Sequence, residues 1–210
     1  MSTSNNKKAT NKYPILDVLK NRWSPRAFDA ERPVSQEDLQ SILEAARWAM
    51  SSYNEQPWRY LIATKDNTDD YEKLLSCLVE FNQSWATTAP VIMLGCVKTY
   101  FKDDSEKINK HAYHDLGAAS AMLTIEATSR GIYVHQMAGI DYDKAQETYD
   151  LPEGYEVVTA LALGYQGDID QLPEDLQKGE TAERSRKSHD ELFFGGAWDK
   201  AFHEGDEYDD

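Results

Sequence analysis

Cysteine is scarce in this chain: only Cys77 and Cys96 occur among 210 residues, and neither belongs to a CxxC pair. That excludes a disulfide framework and reads as two buried thiols of a reducing compartment. Long apolar runs are also missing. No window approaches the roughly 18 apolar residues a membrane-spanning helix needs. The first residues, MSTSNNKKATNKY, are polar and hold no apolar stretch. They do not form a secretory signal, so a cytoplasmic location is expected. Positive charge is short as well, with 22 Lys and Arg against 37 Asp and Glu, a net charge of −15. Such a surface repels phosphate backbones and anionic lipid, so neither nucleic acid nor membrane is an expected partner. No GxGxxG follows a strand pattern, which argues against a Rossmann dinucleotide site. His111 and His114 lie three apart beside Asp115, and His135 is remote. This falls short of a zinc ligand set, so the histidines read as surface or interface residues and no metal is expected.

What is present suffices for one domain, since 40% of the residues are hydrophobic. Residues 1–12 read as a flexible arm, 13–201 as a single domain and 202–210 as an acidic tail. Pro14 can open a short helix with Ile15, Leu16, Val18 and Leu19 on its apolar face. Ser35 caps a second helix, with Asp38 three residues on and Leu39, Ile42, Leu43 and Ala46 at helical spacing. WRYLIAT (58–64) reads as a strand, Asp69 to Val79 as a helix, and the unbroken apolar PVIMLGCV (90–97) as a buried strand. Residues 98–110 read as a polar link or a lid. Lys107 to Arg130 reads as a long helix containing Gly117, Ala118, Ala119 and Ala121, ended by Gly131. A short strand at 132–135, a helix at 143–150 and the strand YEVVTALALG (155–164) follow; the remainder reads as an extended segment. Helices and strands mix without βαβ alternation, so the fold class is α+β.

Four constellations can carry chemistry. Arg22, Ser24 and Arg26 flank a proline in RWSPR; an arginine fork suits phosphate oxygens, though alone the motif reads first as a solvated loop. Arg184, Ser185, Arg186 and Lys187 form a basic run in an acidic chain, which taken alone reads first as a solvated turn; with the first cluster it suggests one shared anion site. SSYNEQPWRY (51–60) offers hydroxyls and the carboxamides of Asn54 and Gln56, which both donate and accept. The same loop also reads as a helix C-terminal turn. In HQMAGID (135–141), Ala138 and Gly139 are small enough for close backbone approach to a ring, or form an ordinary turn.

Taken in order, RWSPRAF at 22–28, SSYNEQPWRY at 51–60, DLGAAS at 115–120, HQMAGID at 135–141 and RSR at 184–186 resemble the nitroreductase family from about Tyr13 to Ala201. The resemblance implies a mixed β-sheet flanked by helices, in an intertwined homodimer whose C-terminal segment wraps the partner. It implies FMN as cofactor and NAD(P)H as reductant, with a flat nitroaromatic or quinone acceptor reduced by ping-pong hydride transfer. It places Arg22, Ser24 and Arg26 on the phosphate and the polar edge of the flavin. Arg184 and Arg186 close on the phosphate. Ser51, Ser52 and Asn54 reach the flavin from the partner subunit, and the Ala138–Gly139 backbone lies along it. Trp23, Gln56, Gln136 and Met137 complete the candidate cofactor contacts. No side chain is assigned as catalytic, because the flavin carries the chemistry. Met50 stands where many members have proline, and Ala138 where well-known members have glutamate. Both departures bear on the acceptor. Competing readings are a non-catalytic FMN-storage dimer, or another flavin chemistry on the same fold, such as reductive dehalogenation or flavin breakdown.

Overall fold

In a computed structural model, residues 7–102 and 104–202 are described. The first half of the expected arm and nearly all of the acidic tail lie outside them. The fold is α+β, as the sequence predicts. Four strands, β1 (Trp58–Thr64), β2 (Val91–Lys98), β5 (Tyr133–Met137) and β6 (Tyr155–Gly164), form one sheet in the order β1-β2-β6-β5. The resemblance implied a mixed sheet; within this chain every pairing in it is antiparallel.

β2 is buried along Val91–Val97 because both faces of the sheet are covered. Its residues alternate with the strand period. Ile92, Leu94 and Cys96 enter one core with Phe28, Leu74, Leu78 and Trp85. Val91, Met93 and Val97 enter the other with Ile42, Leu116, Leu123 and Leu161. The second core lies beneath helices α2 (Gln36–Arg47) and α5 (Ala112–Ser129), which pack on each other. Ser35 caps α2 as read from sequence: its Oγ accepts the Asp38 N–H at 3.0 Å. Gly131 closes the turn after α5 at φ 73°.

Three elements differ from the sequence reading. The helix expected over Asp69–Val79 is α3 (Thr68–Leu75), followed by a separate α4 (Glu80–Ala86). The break falls where residues 77–79 bond across to another segment. The Cys77 carbonyl accepts the Asp141 N–H at 2.8 Å, and the Val79 N–H donates to Gly139 at 3.1 Å. These long-range bonds override local helix preference. The helix expected from Lys107 begins at Ala112, since β3 (Tyr100–Phe101) and β4 (Asp104–Ile108) form a hairpin in what reads as a polar link or lid. The C-terminal segment is not simply extended. It carries α7 (Glu174–Thr181), with Leu176 buried, and a helical turn at His189–Glu191. Two further helices, α1 (Asp17–Asn21) and α6 (Tyr142–Thr148), agree with the pattern. The apolar face expected of α1 is uncovered in the chain: Leu16 is 70% exposed.

Candidate functional site

The RWSPR loop is anchored just beyond its end. The Gly167 N–H donates to the Ala27 carbonyl and the Asp29 N–H to the Tyr165 carbonyl, both at 2.9 Å. Phe28 is fully buried between them. A Cβ at Gly167 would stand 2.3 Å from the Phe28 carbonyl oxygen, so the approach requires glycine. Within the loop, Trp23 is buried edge-on against Tyr133. The Pro25 carbonyl lies 2.9 Å from His135 Nδ1. His135 is therefore no surface histidine: it is half-buried, its ring 4.6 Å from that of Trp85. Burial pushes its pKa down to about 4. His111 and His114 are exposed, as expected. No group of metal-ligating side chains occurs among the described residues.

The structure joins the two basic segments, although they lie at opposite ends of the sequence. Arg22, Ser24 and Arg26 share a pocket of about 230 Å³ with Arg184 and Arg186. Lys7 lines it too, giving five cations against the carboxylates of Glu180 and Glu183. Burial, then the nearby Arg184 and Arg186, disfavours the charged form of Arg22. Arg184 is affected in the same way by burial and then Arg186. Lys7 is lowered by burial first, with Glu180 opposing. Arg26 Nε is buried without a hydrogen-bond partner among the described residues. Arg26 Nη1 lies 4.0 Å from Glu180 Oε1, and the remaining crowded cations are what an anion site presents.

The five are not equivalent. Arg184 Nη1 donates to the Lys7 carbonyl at 2.6 Å and to that of Lys20 at 3.2 Å, so it ties chain segments together. Lys7 Nζ donates to the Gly179 and Ala182 carbonyls at the end of α7. Residues 7–12, read as part of a flexible arm, thus begin against the pocket wall. Buried Glu180 accepts the Arg26 N–H at 3.0 Å, and burial raises its pKa. Lys7 and Glu180 carry no signal in the sequence.

The remaining candidates lie elsewhere. None of Ser51, Ser52, Asn54, Gln56, Gln136, Met137, Ala138 or Gly139 lines the cationic pocket. Ser51–Gln56 forms a tight turn with Tyr53, Asn54 and Gln56 at φ 53°, 56° and 49°. Three non-glycine residues in the left-handed region cost on the order of 1 kcal/mol each. Side chains hold the turn: the Gln56 N–H donates to Ser51 Oγ at 3.1 Å, and the Lys102 N–H to Glu55 Oε2 at 2.8 Å. Gln136 Nε2 is engaged by the Ser120 carbonyl and Thr124 Oγ1 on α5. Met137 is buried and Ala138 exposed. Gly139 has a packing reason of its own, because an added Cβ would meet Asn82 Nδ2 at 2.3 Å.

A family model described as the Nitroreductase family matches residues 19–165, and the chain belongs to that family. The major NAD(P)H-flavin oxidoreductase of Aliivibrio fischeri is 26% identical over 81% of this chain and 95% of its own. An oxygen-insensitive NADPH nitroreductase of Helicobacter pylori is 33% identical over 70% of this chain and 66% of its own. A crystal structure of an oxidoreductase containing FMN superposes with a TM-score of 0.83 at 35% identity, covering 94% of this chain and 98% of the other.

Proposed function

We propose that this chain is an FMN-dependent oxidoreductase that uses NAD(P)H to reduce flat acceptors such as nitroaromatics and quinones. The observation that carries the reading is the cationic pocket, drawn from both ends of the chain and lined by four arginines and Lys7. Its donor set fits a phosphate close to a dianion. When bound, FMN supplies the two-electron chemistry, accepting a hydride from NAD(P)H and passing the electrons to the acceptor. The protein binds and orients. Arg22, Arg26 and Arg186 hold the phosphate, Ser24 adds a hydroxyl, and Arg184 fixes the walls. Trp23 lines the same pocket, whereas Gln136, Met137 and the Ala138–Gly139 backbone stand outside it and in this reading serve the flavin ring. His135 stays neutral near pH 7 and its Nδ1–H is committed to Pro25, so protons come from solvent. A visible spectrum of the purified protein is expected to show flavin that bleaches under anaerobic NAD(P)H and recovers its colour with an added quinone or nitroaromatic. A colourless protein that takes up no FMN overturns the reading. Flavin that stays oxidised under excess NADH and NADPH makes it a storage protein.

The site needs a second copy. Ser51, Ser52, Asn54 and Gln56 stand apart from the cationic pocket of their own chain, and in this reading they serve the partner's flavin. Apolar side chains that a monomer leaves open support the same conclusion. Besides Leu16 at the start of α1, they include Leu192, Phe193 and Phe202, with Trp198 84% exposed. Soluble monomers rarely expose such surface. Sedimentation at micromolar concentration is expected to give a homodimer; a folded, flavin-loaded monomer there overturns the arrangement.

A further inference from the structure

We propose that Asp115 is the positioning residue that sets the Ser51–Gln56 turn for its contact with flavin. The inference rests on the flavin reading above. Asp115 lies in the first turn of α5, and its side chain is buried, with 2% of the residue exposed. A buried carboxylate is costly unless hydrogen-bonded. Asp115 Oδ2 accepts the Ser52 N–H at 3.1 Å, and Oδ1 lies 3.4 Å from His114 Nδ1. The Ser52 contact spans 63 residues of sequence, and it enters the turn one residue before the left-handed run begins at Tyr53.

The turn cannot hold itself in this shape by backbone preference, since Tyr53, Asn54 and Gln56 all favour other conformations. Its internal bonds, Gln56 N–H to Ser51 Oγ and Gln56 Nε2 to the Asn54 carbonyl, tie the turn to itself and not to the body of the protein. Two tethers leave the turn: Glu55 Oε2 accepts the Lys102 N–H at 2.8 Å from the β3–β4 hairpin, and Asp115 makes the connection to the rigid helix. Tyr53 is 84% exposed, and its ring meets Phe101 of that hairpin edge-on at 6.1 Å between centroids, a contact on the turn's outer side and not with the helix. The carboxylate therefore does for this loop what a supporting hydrogen bond does for a binding group: it locks the geometry that the contacting residues need.

Three variants test this. Asp115→Asn keeps an acceptor oxygen for the Ser52 N–H; Asp115→Ala removes it. Ser52→Pro deletes the donor from the exposed side, at the first position of a helical turn that follows extended Ser51. Amide exchange across 51–56 is measured on flavin-free protein, and affinity by quenching of FMN and riboflavin fluorescence. Asp115→Ala and Ser52→Pro are expected to speed exchange of the turn and to weaken both flavins by a common factor of about ten or more, the equivalent of one charge-assisted hydrogen bond. Asp115→Asn is expected to stay within about threefold of wild type, well under one such bond. If Asp115→Ala does not fold, Ser52→Pro carries the test alone. Wild-type exchange and affinity in Ser52→Pro overturn the proposal, as does an Asp115→Asn that falls as far as Asp115→Ala. The exchange measurement uses no flavin, so it separates failure of this proposal from failure of the flavin reading.

Discussion

Arg22→Ala and Arg186→Ala are expected to lose FMN on gel filtration while remaining folded. The ribityl phosphate is close to a dianion at neutral pH, and each charge-assisted hydrogen bond to it contributes about 1.5–3 kcal/mol net. Since 1.4 kcal/mol is a factor of ten, removing one arginine should weaken FMN by about 10-fold to 100-fold. The structure ranks the variants. Arg22 is half-buried and repelled by Arg184 and Arg186, so it gains most from an arriving anion. Arg186 is exposed, with Nη1 on the neighbouring Ser185 carbonyl, and should fall at the lower end. Arg184 differs in kind. Its bonds to the Lys7 and Lys20 carbonyls mean that Arg184→Ala should lower the melting temperature as well as the affinity. Riboflavin, which lacks the phosphate, should bind wild type and Arg22→Ala equally weakly. Unchanged FMN affinity in both Arg22→Ala and Arg186→Ala would place the phosphate elsewhere and separate the two ends of the chain in function.

The contrast with Asp115 is useful here. A phosphate arginine changes FMN and leaves riboflavin alone, whereas a residue that positions the Ser51–Gln56 turn changes both. The two measurements therefore resolve the two ends of one ligand.

Elements built on local rules were legible in the sequence. The Ser35 cap and the spacing Leu39, Ile42, Ala46 define α2 without reference to anything distant. The apolar run 91–97 can be buried only on both faces, and so defines the central strand. What was not legible depends on distant partners. Residues 76–79 carry ordinary helix formers, and only the turn at 139–141 interrupts them. α7 had a local signal in Pro173, Glu174 and Asp175, of the kind that opens a helix, but little apolar periodicity to extend it.

The candidate site divides the same way. Arg22 and Arg186 are 164 positions apart, and no spacing rule brings them together; the resemblance suggested it and the fold joins them. Glu180 and Asp115 look like two surface carboxylates among 37 acidic residues. Burial alone distinguishes them, and burial of a single acidic residue on a helix leaves no mark in the sequence. Gly139 was read as small enough to approach a ring; within the chain the neighbour that requires glycine there is Asn82, which no local pattern announces.

Lowering the pH from about 6.5 to about 4 is expected to destabilise the protein through His135. In the unfolded chain a histidine takes its proton near pH 6.5. In the folded protein His135 does so only near 4, chiefly because burial disfavours the imidazolium and Arg26 adds repulsion, with the Pro25 and Ser24 backbone opposing. Between these values the unfolded state binds more protons, so stability falls as pH falls. The contribution is fully present above about 6.5 and is lost as pH drops through 4, an effect on the order of 3 kcal/mol for a shift of this size. Glu180, whose pKa burial raises, works in the opposite direction, so the total curve alone does not isolate the histidine. His135→Gln does, because its amide can still donate to the Pro25 carbonyl but does not titrate. The variant should melt below wild type at neutrality, where the native imidazole packs better on Trp85, and the gap should close as the pH falls toward 4. The wild-type curve should descend more steeply between pH 6.5 and 4. Parallel curves would mean that His135 protonates freely in the folded state, and that the bond joining the RWSPR loop to β5 is not the sheltered contact its 2.9 Å length implies.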